Sequence, residues 1–266
     1  MATKAHARTA SARSARASRP VKKTSSKRAV ARKVESAPDN SALFTAREKK
    51  IAAIFGPLFP KGRLISPDGA LVTPLAGCKL EFCLGQYAPK PDRMSWVYVT
   101  HGFSCACEQK NKSLPRTELL IQWRSRDPKV PVKVLTQTAK YILGTGHPVS
   151  AGEVLSKDQI GDCGVTEFQH WVVSAPEKSV PEKLELAPGT LRLLQLIGVT
   201  DAELQVALKV NPELADGRQV LLEALRTGGV FPVTDIQRTC LTRRRDFLRI
   251  WETAFRLVRE RGKSNA

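Results

Sequence analysis

The sequence predicts a mixed α/β fold in which helices flank a mixed β-sheet. Two kinds of segment support this prediction. Short stretches such as KLEFCL and TELLIQW place apolar residues at every second position, which is the period of a β-strand. Longer stretches such as TRRRDFLRIWETAFRLVRER repeat apolar residues with the period of an α-helix. The two kinds alternate without the regularity of repeated βαβ units, and we find no internal repeat, so we expect one folded domain.

Two helices are predicted in the first half of the chain. The first lies in SALFTAREKKIAAIFG, ends at Gly56-Pro57, and has one apolar face made of Leu43, Phe44, Ile51, Ile54 and Phe55. The second lies in KVLTQTAKYILG, with helical spacing at Val134, Leu135, Thr138, Tyr141 and Ile142. Gly144 is the expected stop of this second helix.

Five segments predict strands: KLEFCL, WVYVT, TELLIQW, VTEFQHWVV and LRLLQLIGV. In the first of them, Leu80, Phe82 and Leu84 share one side of the strand, and Cys83 points to the other. In TELLIQW, the residues on one face are Leu119, Ile121 and Trp123.

The C-terminal third predicts three more helices. Thr200 and Glu203 have the spacing of a capping box, and another helix should begin near Asp216 and end at Gly228-Gly229. The last helix, within residues 242–261, should pack through an apolar stripe made of Phe247, Leu248, Trp251, Phe255 and Val258. Its opposite face carries Arg245, Arg249, Arg256 and Arg259, which we interpret as a solvated basic face; a phosphate-contacting helix is the alternative.

The net charge of +18 is concentrated at the two ends of the chain. Residues 1–40 have eleven Lys or Arg against two acidic residues, a net charge of +9, and contain no aromatic residue, Leu or Ile. We therefore predict a disordered basic tail over residues 1–40, one folded domain over 41–240 and a basic amphipathic helix over 241–266. The tail is interpreted as a solvated segment, a weak nucleic-acid-binding arm or an organelle-targeting peptide, in that order.

The composition predicts a cytoplasmic protein without a membrane partner. No apolar run reaches the roughly 18 residues that span a bilayer, and the N-terminus lacks the apolar core of a secretory signal. The six cysteines are too scattered for a disulfide framework, so we expect reduced and mostly buried thiols.

The segment WVYVTHGFSCAC is the first candidate for an enzymatic site. Gly102-Phe103-Ser104-Cys105-Ala106 is close to the G-x-S-x-G nucleophile elbow, but the polar residues after it do not form the required helix. A triad with His147 or His170 has no support from spacing.

The sequence gives equally little support for a metal site or a phosphate site. A zinc site would need His101, Cys105 and Cys107 to converge with Cys78 or Cys83, and buried free thiols explain the same residues. No phosphate-binding glycine loop is present, since the glycines of LGTGHP follow a predicted helix instead of opening one. We therefore predict no catalytic residue, no metal and no cofactor.

Four segments, in order and spacing, resemble the suppressor-of-fused (SUFU) domain family over roughly residues 55–240. WVYVTHGFS matches a strand ending in T-x-G-x-S at Thr100, Gly102 and Ser104, and RTELLIQW matches the following strand at Glu118 and Leu119. LLQLIGVTDAELQVAL matches a strand–helix segment at Gly198, Thr200 and Glu203. GRQVLLEALRTGGVFPVTDIQRTC matches a P-x-T-D-x-x-R signature at Pro232, Thr234, Asp235 and Arg238.

This resemblance implies a protein-binding domain without catalysis, most similar to single-domain bacterial members that are inferred to be immunity proteins. It makes Gly102 a residue that relieves backbone constraint and Ser104 a source of local hydrogen bonds. It also makes internal capping or ion-pair contacts the expected role of Glu118, Asp235 and Arg238, ahead of a ligand role.

The leading hypothesis is a protein-binding domain that neutralises a partner, acidic or a toxin, by occlusion. The alternative is a nucleic-acid-associated protein that binds through its basic tail and its arginine-rich C-terminal helix.

Overall fold

The computed structural model describes residues 40–59, 64–65, 73–74, 81–105, 115–165, 167–186 and 189–264. Almost all of the predicted tail, as well as Cys78, Leu80 and Cys107, lies outside the described residues.

The elements follow one another as predicted by the alternation of the two periods. The helices are α1 (Asn40–Phe55), α2 (Lys129–Thr145), α3 (Lys157–Ile160), α4 (Asp201–Leu208), α5 (Gly217–Thr227) and α6 (Phe247–Ser264). The first five strands are β1 (Leu64–Ile65), β2 (Thr73–Pro74), β3 (Glu81–Tyr87), β4 (Trp96–His101) and β5 (Thr117–Trp123). The remaining five are β6 (Val154–Ser156), β7 (His170–Ser174), β8 (Lys183–Leu186), β9 (Gly189–Val199) and β10 (Val233–Thr234). A 3₁₀ turn, Leu241–Arg243, precedes α6.

The strands form one mixed sheet, which confirms the predicted fold class. Its order is β1-β3-β4-β5-β9-β7-β6, with β2 paired to β3, β8 to β9 and β10 to β5. The β5–β9 and β5–β10 pairs are parallel, and the other pairs are antiparallel. The central strand β5 therefore has β4 on one side, and on the other side first β9 and then β10.

Helices cover both faces of this sheet, because alternate residues of the central strands are apolar on both sides. Helix α2 packs on the face that includes Tyr98, Leu119 and Ile121. On the opposite face, α1 covers Val97, Val99 and Leu120, whereas α5 and α6 cover a second region made of Val172, Ile197 and Val199.

The glycine that stops helix α2 lies two residues later than predicted. The residue in the left-handed conformation is Gly146, with φ of 69°, and its N–H bonds to the carbonyl of Ile142. Gly144 is inside the helix, and a Cβ there would meet no atom within 4 Å. Two glycines two residues apart carry the same stop signal, so the sequence alone does not distinguish them.

The predicted apolar stripe of α6 is wrong at Leu248, which is 71% exposed. The buried centre of the contact is Ile250 and Ala254, flanked by half-buried Phe247, Trp251, Phe255 and Val258. At 100° per residue, Leu248 lies about 160° around the helix from Ile250, on the solvent side.

In the part of the chain that the structure describes, no helix is long and apolar enough to cross a bilayer.

Candidate functional site

The eleven family-motif residues fall into two buried polar groups. The first, the Glu118 cluster, consists of Thr100 from β4, Gly102 and Ser104 from the turn that follows, and Glu118 from β5. The carboxylate of Glu118 is completely buried and lies next to β4 because β4 and β5 are antiparallel neighbours.

Four donors of the Glu118 cluster surround the Glu118 carboxylate. The Thr100 hydroxyl donates to Oε2 and also accepts the N–H of Leu119 at 2.8 Å. The Ser104 hydroxyl donates to Oε1 at 2.8 Å, and the N–H groups of Gly102 and Ser104 lie 3.2 Å from the same oxygen.

Gly102 allows the backbone to take the conformation that this hydrogen-bonding pattern needs. Its φ of 92° lies in the region that L side chains rarely adopt, and the N–H groups of Gly102 and Ser104 both point to the Glu118 carboxylate at the end of β4.

A cation completes the Glu118 cluster from α1. Arg47 Nη1 lies 3.5 Å from Glu118 Oε1, and Arg47 Nη2 donates to the sulfur of Cys105 at 2.7 Å. Burial raises the pKa of Glu118 above its usual value, and it outweighs the opposing effects of Arg47, Thr100 and Ser104. Burial alone would lower the pKa of Arg47, but the charge of Glu118 raises it.

The pairing of Arg47 with Glu118 was not predicted from the sequence, because the two residues lie 71 positions apart. One signal was present: at helical spacing, Arg47 shares a face with Ile51, Ile54 and Phe55. A charged residue on the apolar face of a helix needs a buried partner.

His101 lies beside the Glu118 cluster but does not act on Ser104. Its buried ring shares a hydrogen bond of 2.9 Å between Nε2 and the Tyr87 hydroxyl. Burial, assisted by the charge of Arg47, lowers the pKa of His101 to about 3. The Ser104 hydroxyl is 1% exposed and donates to Glu118, so this turn has the geometry of a strand end held by internal bonds.

Among the described residues, no group of three or more His, Cys, Asp or Glu side chains is arranged to hold a metal ion. Cys83 and Cys105 are buried, with the thiol of Cys83 3.6 Å from the carbonyl of His101 and the sulfur of Cys105 bound by Arg47, whereas Cys78 and Cys107 lie outside the described ranges.

The second polar group, the Glu203 cluster, contains Gly198, Thr200, Glu203, Pro232, Thr234, Asp235 and Arg238. Thr200 and Glu203 form the capping box at the start of α4: the Thr200 hydroxyl accepts the N–H of Glu203, and Glu203 Oε2 accepts the N–H of Thr200 at 2.9 Å.

Glu203 also binds the chain that follows β10. Arg238 donates through Nη1 and Nη2 to the two oxygens of Glu203, and Nη2 also reaches the carbonyl of Gly198 at 3.1 Å. The N–H of Leu241 donates to Glu203 Oε1 at 2.7 Å. Burial alone would raise the pKa of Glu203, but the hydrogen bonds and charge of Arg238, with the two backbone donors, hold it below its usual value.

The other motif residues fasten β10 and its turns to β9. The Thr234 hydroxyl accepts the N–H of Gly198 at 3.2 Å, and the carbonyl of Pro232, which follows a cis peptide bond, accepts the side-chain N–H of Gln195. The Asp235 carboxylate accepts the N–H of Gln237 at 2.9 Å. All seven residues are thus brought together.

An open cleft of about 420 Å³ lies beside the Glu203 cluster. Each of its three arginines faces a carboxylate: Arg124 lies 3.6 Å from Asp235, Arg238 binds Glu203, and Arg244 binds Asp246. The remaining lining residues are Gly228, Gly229, Val230, Phe231, Val233 and Thr239. Among the described residues, each arginine that lines the cleft is therefore paired with a carboxylate.

Comparison with known proteins identifies a family. The model of the suppressor of fused protein (SUFU) family matches residues 78–239. No match was found among curated proteins.

Three solved structures are similar to this chain. A suppressor of fused homologue from Neisseria gonorrhoeae FA 1090 has 20% identity and a TM-score of 0.44, and the match covers 60% of this chain and 78% of that one. Drosophila Suppressor of Fused has 19% identity and a TM-score of 0.47, with 68% of this chain and 46% of that one covered. The Sufu chain of a Sufu–Fu complex structure has 16% identity and a TM-score of 0.49, with 82% and 95% covered.

Proposed function

Because the chain belongs to the suppressor of fused protein family, we propose that it is a non-catalytic domain that works by binding a partner protein. The observation that carries this proposal is the use of the family-motif side chains. Glu118, Ser104, Glu203 and Arg238 are all buried and bonded to one another or to backbone groups. They hold strand ends and turns in place and leave the outer surface to make the specific contacts.

The partner that fits this chain best is acidic. A strongly basic protein gains mainly in association rate and specificity when its partner has the opposite charge. A stable complex would bury roughly 1,200–2,000 Å² in total. In its narrowest form, the proposal is an immunity function, in which the chain occludes a toxin.

Nucleic-acid binding is the second candidate, favoured by the exposed arginines Arg245, Arg256 and Arg259 near and on α6. Phosphate contacts of this kind release counterions, so the affinity would fall steeply with salt.

Affinity capture with the full-length protein tests both candidates. The tagged chain is incubated with host lysate, with and without nuclease, and bound proteins are identified by mass spectrometry and their stoichiometry is measured by light scattering. A parallel bait has the eleven basic residues of 1–40 replaced by Gln.

A stoichiometric partner that survives nuclease and is retained by the tail-substituted bait supports the protein-binding function. Loss of all capture after nuclease treatment contradicts it and favours the nucleic-acid candidate.

A further inference from the structure

The last helix, α6, presents a row of cations to solvent. Arg249, Arg256, Arg259 and Lys263 are all exposed, and their spacing places them within about 80° of the helix circumference over about 21 Å. We call these four residues the basic row. Arg249 lies 3.6 Å from Asp246; for the other three, no carboxylate of the described residues lies within ion-pair distance.

Folding does not require the basic row. The inward face of α6 already packs through Ile250 and Ala254. Arg256 and Arg259, and Arg259 and Lys263, are three and four residues apart, so their like charges repel along the helix. Two glutamates of the same helix, Glu252 and Glu260, stand three or four residues from members of the row and offset part of this repulsion, and an acidic partner would offset more of it.

A cleft of about 650 Å³ borders the C-terminal half of the row. Apolar groups of Leu214, Ala215 and Val258 line it, and Arg259 and Lys263 stand on its α6 side. Leu214 is 48% exposed, so an apolar side chain that enters the cleft would remove aliphatic surface from water on both partners.

We propose that the basic row and this cleft form a docking surface for an acidic segment of a partner protein that carries leucine-sized apolar side chains. This inference rests on the protein-binding function proposed above and assigns a surface to it. The basic row lies on α6, beyond the residues that the family model matches, whereas Leu214 and Ala215 of the cleft lie within the matched range.

A polypeptide fits this surface better than a nucleic acid does. The exposed Glu252 lies among the cations of the row, and Glu213 and Asp216 line the cleft, so a continuous track of phosphates would meet three repulsive carboxylates. A protein segment can place a basic or neutral residue at these points. Leu248, 71% exposed beside Arg249, adds an apolar contact that a phosphate backbone cannot use.

The test uses fluorescence anisotropy of short labelled probes with the full-length chain at low salt. The main probe is a glutamate-rich peptide with a leucine at every fourth position. The comparison probes are the same peptide with Ser for Leu, the same peptide with Lys for Glu, and an oligothymidylate of equal charge.

Two charge-reversed chains are compared. One replaces the row (R249E/R256E/R259E), and the other reverses three exposed lysines of α2 on the opposite face of the sheet (K129E/K133E/K140E), which changes the net charge equally. We expect the row variant to bind the glutamate–leucine peptide at least ~10-fold more weakly and the α2 variant to change by less than ~2-fold. Leu214→Ser should weaken the binding of the leucine peptide several-fold and leave the binding of the serine peptide unchanged.

Three outcomes would overturn the inference. The first is an equal loss of peptide affinity in both triple variants, and the second is equal affinity for the leucine and serine peptides. The third is an oligothymidylate that binds more tightly than the leucine peptide and depends on the row. Should the partner found by capture bind the row variant undiminished, the protein-binding function stands and only this surface is rejected. Circular dichroism of each variant separates loss of binding from loss of folding.

Discussion

Acidification should remove about 2 kcal/mol of folding stability through His101 alone between about pH 7.5 and about pH 5. The ring is completely buried, and the nearby Arg47 adds a repulsive charge, so the folded protein keeps His101 neutral with a pKa of about 3. The unfolded chain exposes the same ring and takes up a proton near the usual value of 6.5. Because the folded pKa is the lower one, this stability is complete above the unfolded pKa and declines as the pH falls towards the folded pKa.

The magnitude follows from proton linkage. Each pH unit between the two pKa values costs about 1.4 kcal/mol, and about 1.5 units separate the unfolded pKa from pH 5. Other groups also titrate in this range, so the prediction concerns the difference between the native chain and His101→Gln. The Gln side chain does not titrate and can still reach the Tyr87 hydroxyl.

The assay is urea unfolding monitored by tryptophan fluorescence at a series of pH values. The free energy of unfolding of the native chain should fall by about 2 kcal/mol more than that of His101→Gln over the interval. Parallel curves for the native chain and His101→Gln would refute the reasoning, since they would mean that the folded state protonates the ring as readily as the unfolded state.

Three further variants test the two clusters and α6 by the same unfolding assay. Arg238→Ala should destabilise the protein by about 3–5 kcal/mol, because Glu203 would keep a buried charge without its cation; a loss below about 1 kcal/mol would contradict the bidentate pair. Ser104→Ala should cost about 1–3 kcal/mol, because the buried Glu118 carboxyl group loses a hydroxyl donor; an unchanged midpoint would argue against that bond. Leu248→Ser should keep the free energy of unfolding within about 0.5 kcal/mol of the native value. A loss as large as that of a buried leucine would mean that Leu248 packs on the core, as the sequence predicted.

Local features were predictable from the sequence, and distant pairings were not. The capping box of Thr200 and Glu203 depends on two residues three positions apart, and the structure contains it. The bond from Glu203 to Arg238 spans 35 positions, and it depends on β10 pairing with β5 beside β9. Propensity and periodicity carry no information about which strands become parallel neighbours, so the motif residues could be named but not assembled.

The error at Leu248 has a different origin. Both Leu248 and Ile250 are apolar, and each extends a plausible stripe, so periodicity allows two faces that differ by most of a half-turn. The face that packs is the one that places Ala254 against the core, where a small residue lets the helices approach closely.

The two buried carboxylates differ in how their arginines bind them, and their pKa values shift in opposite directions. Both carboxylates accept hydrogen bonds from hydroxyl or backbone N–H groups. Arg238 donates to both oxygens of Glu203, whereas Arg47 donates through one nitrogen to Cys105 and lies 3.5 Å from Glu118. Burial raises the pKa of Glu118, whereas at Glu203 the bonds and charge of Arg238, with the backbone donors, outweigh burial and lower the pKa.

The two carboxylates therefore have opposite effects on stability. The contribution of Glu203 is present above its unfolded pKa of 4.5 and is lost as the pH falls through its lower folded pKa. The contribution of Glu118 is present below 4.5 and is lost as the pH rises through its higher folded pKa. Because acidification strengthens one cluster and weakens the other, these effects oppose each other in the native curve. Subtracting the His101→Gln curve leaves the imidazole contribution, and a double variant with Arg47→Met should shrink it, since the guanidinium that helps to keep the ring neutral is gone.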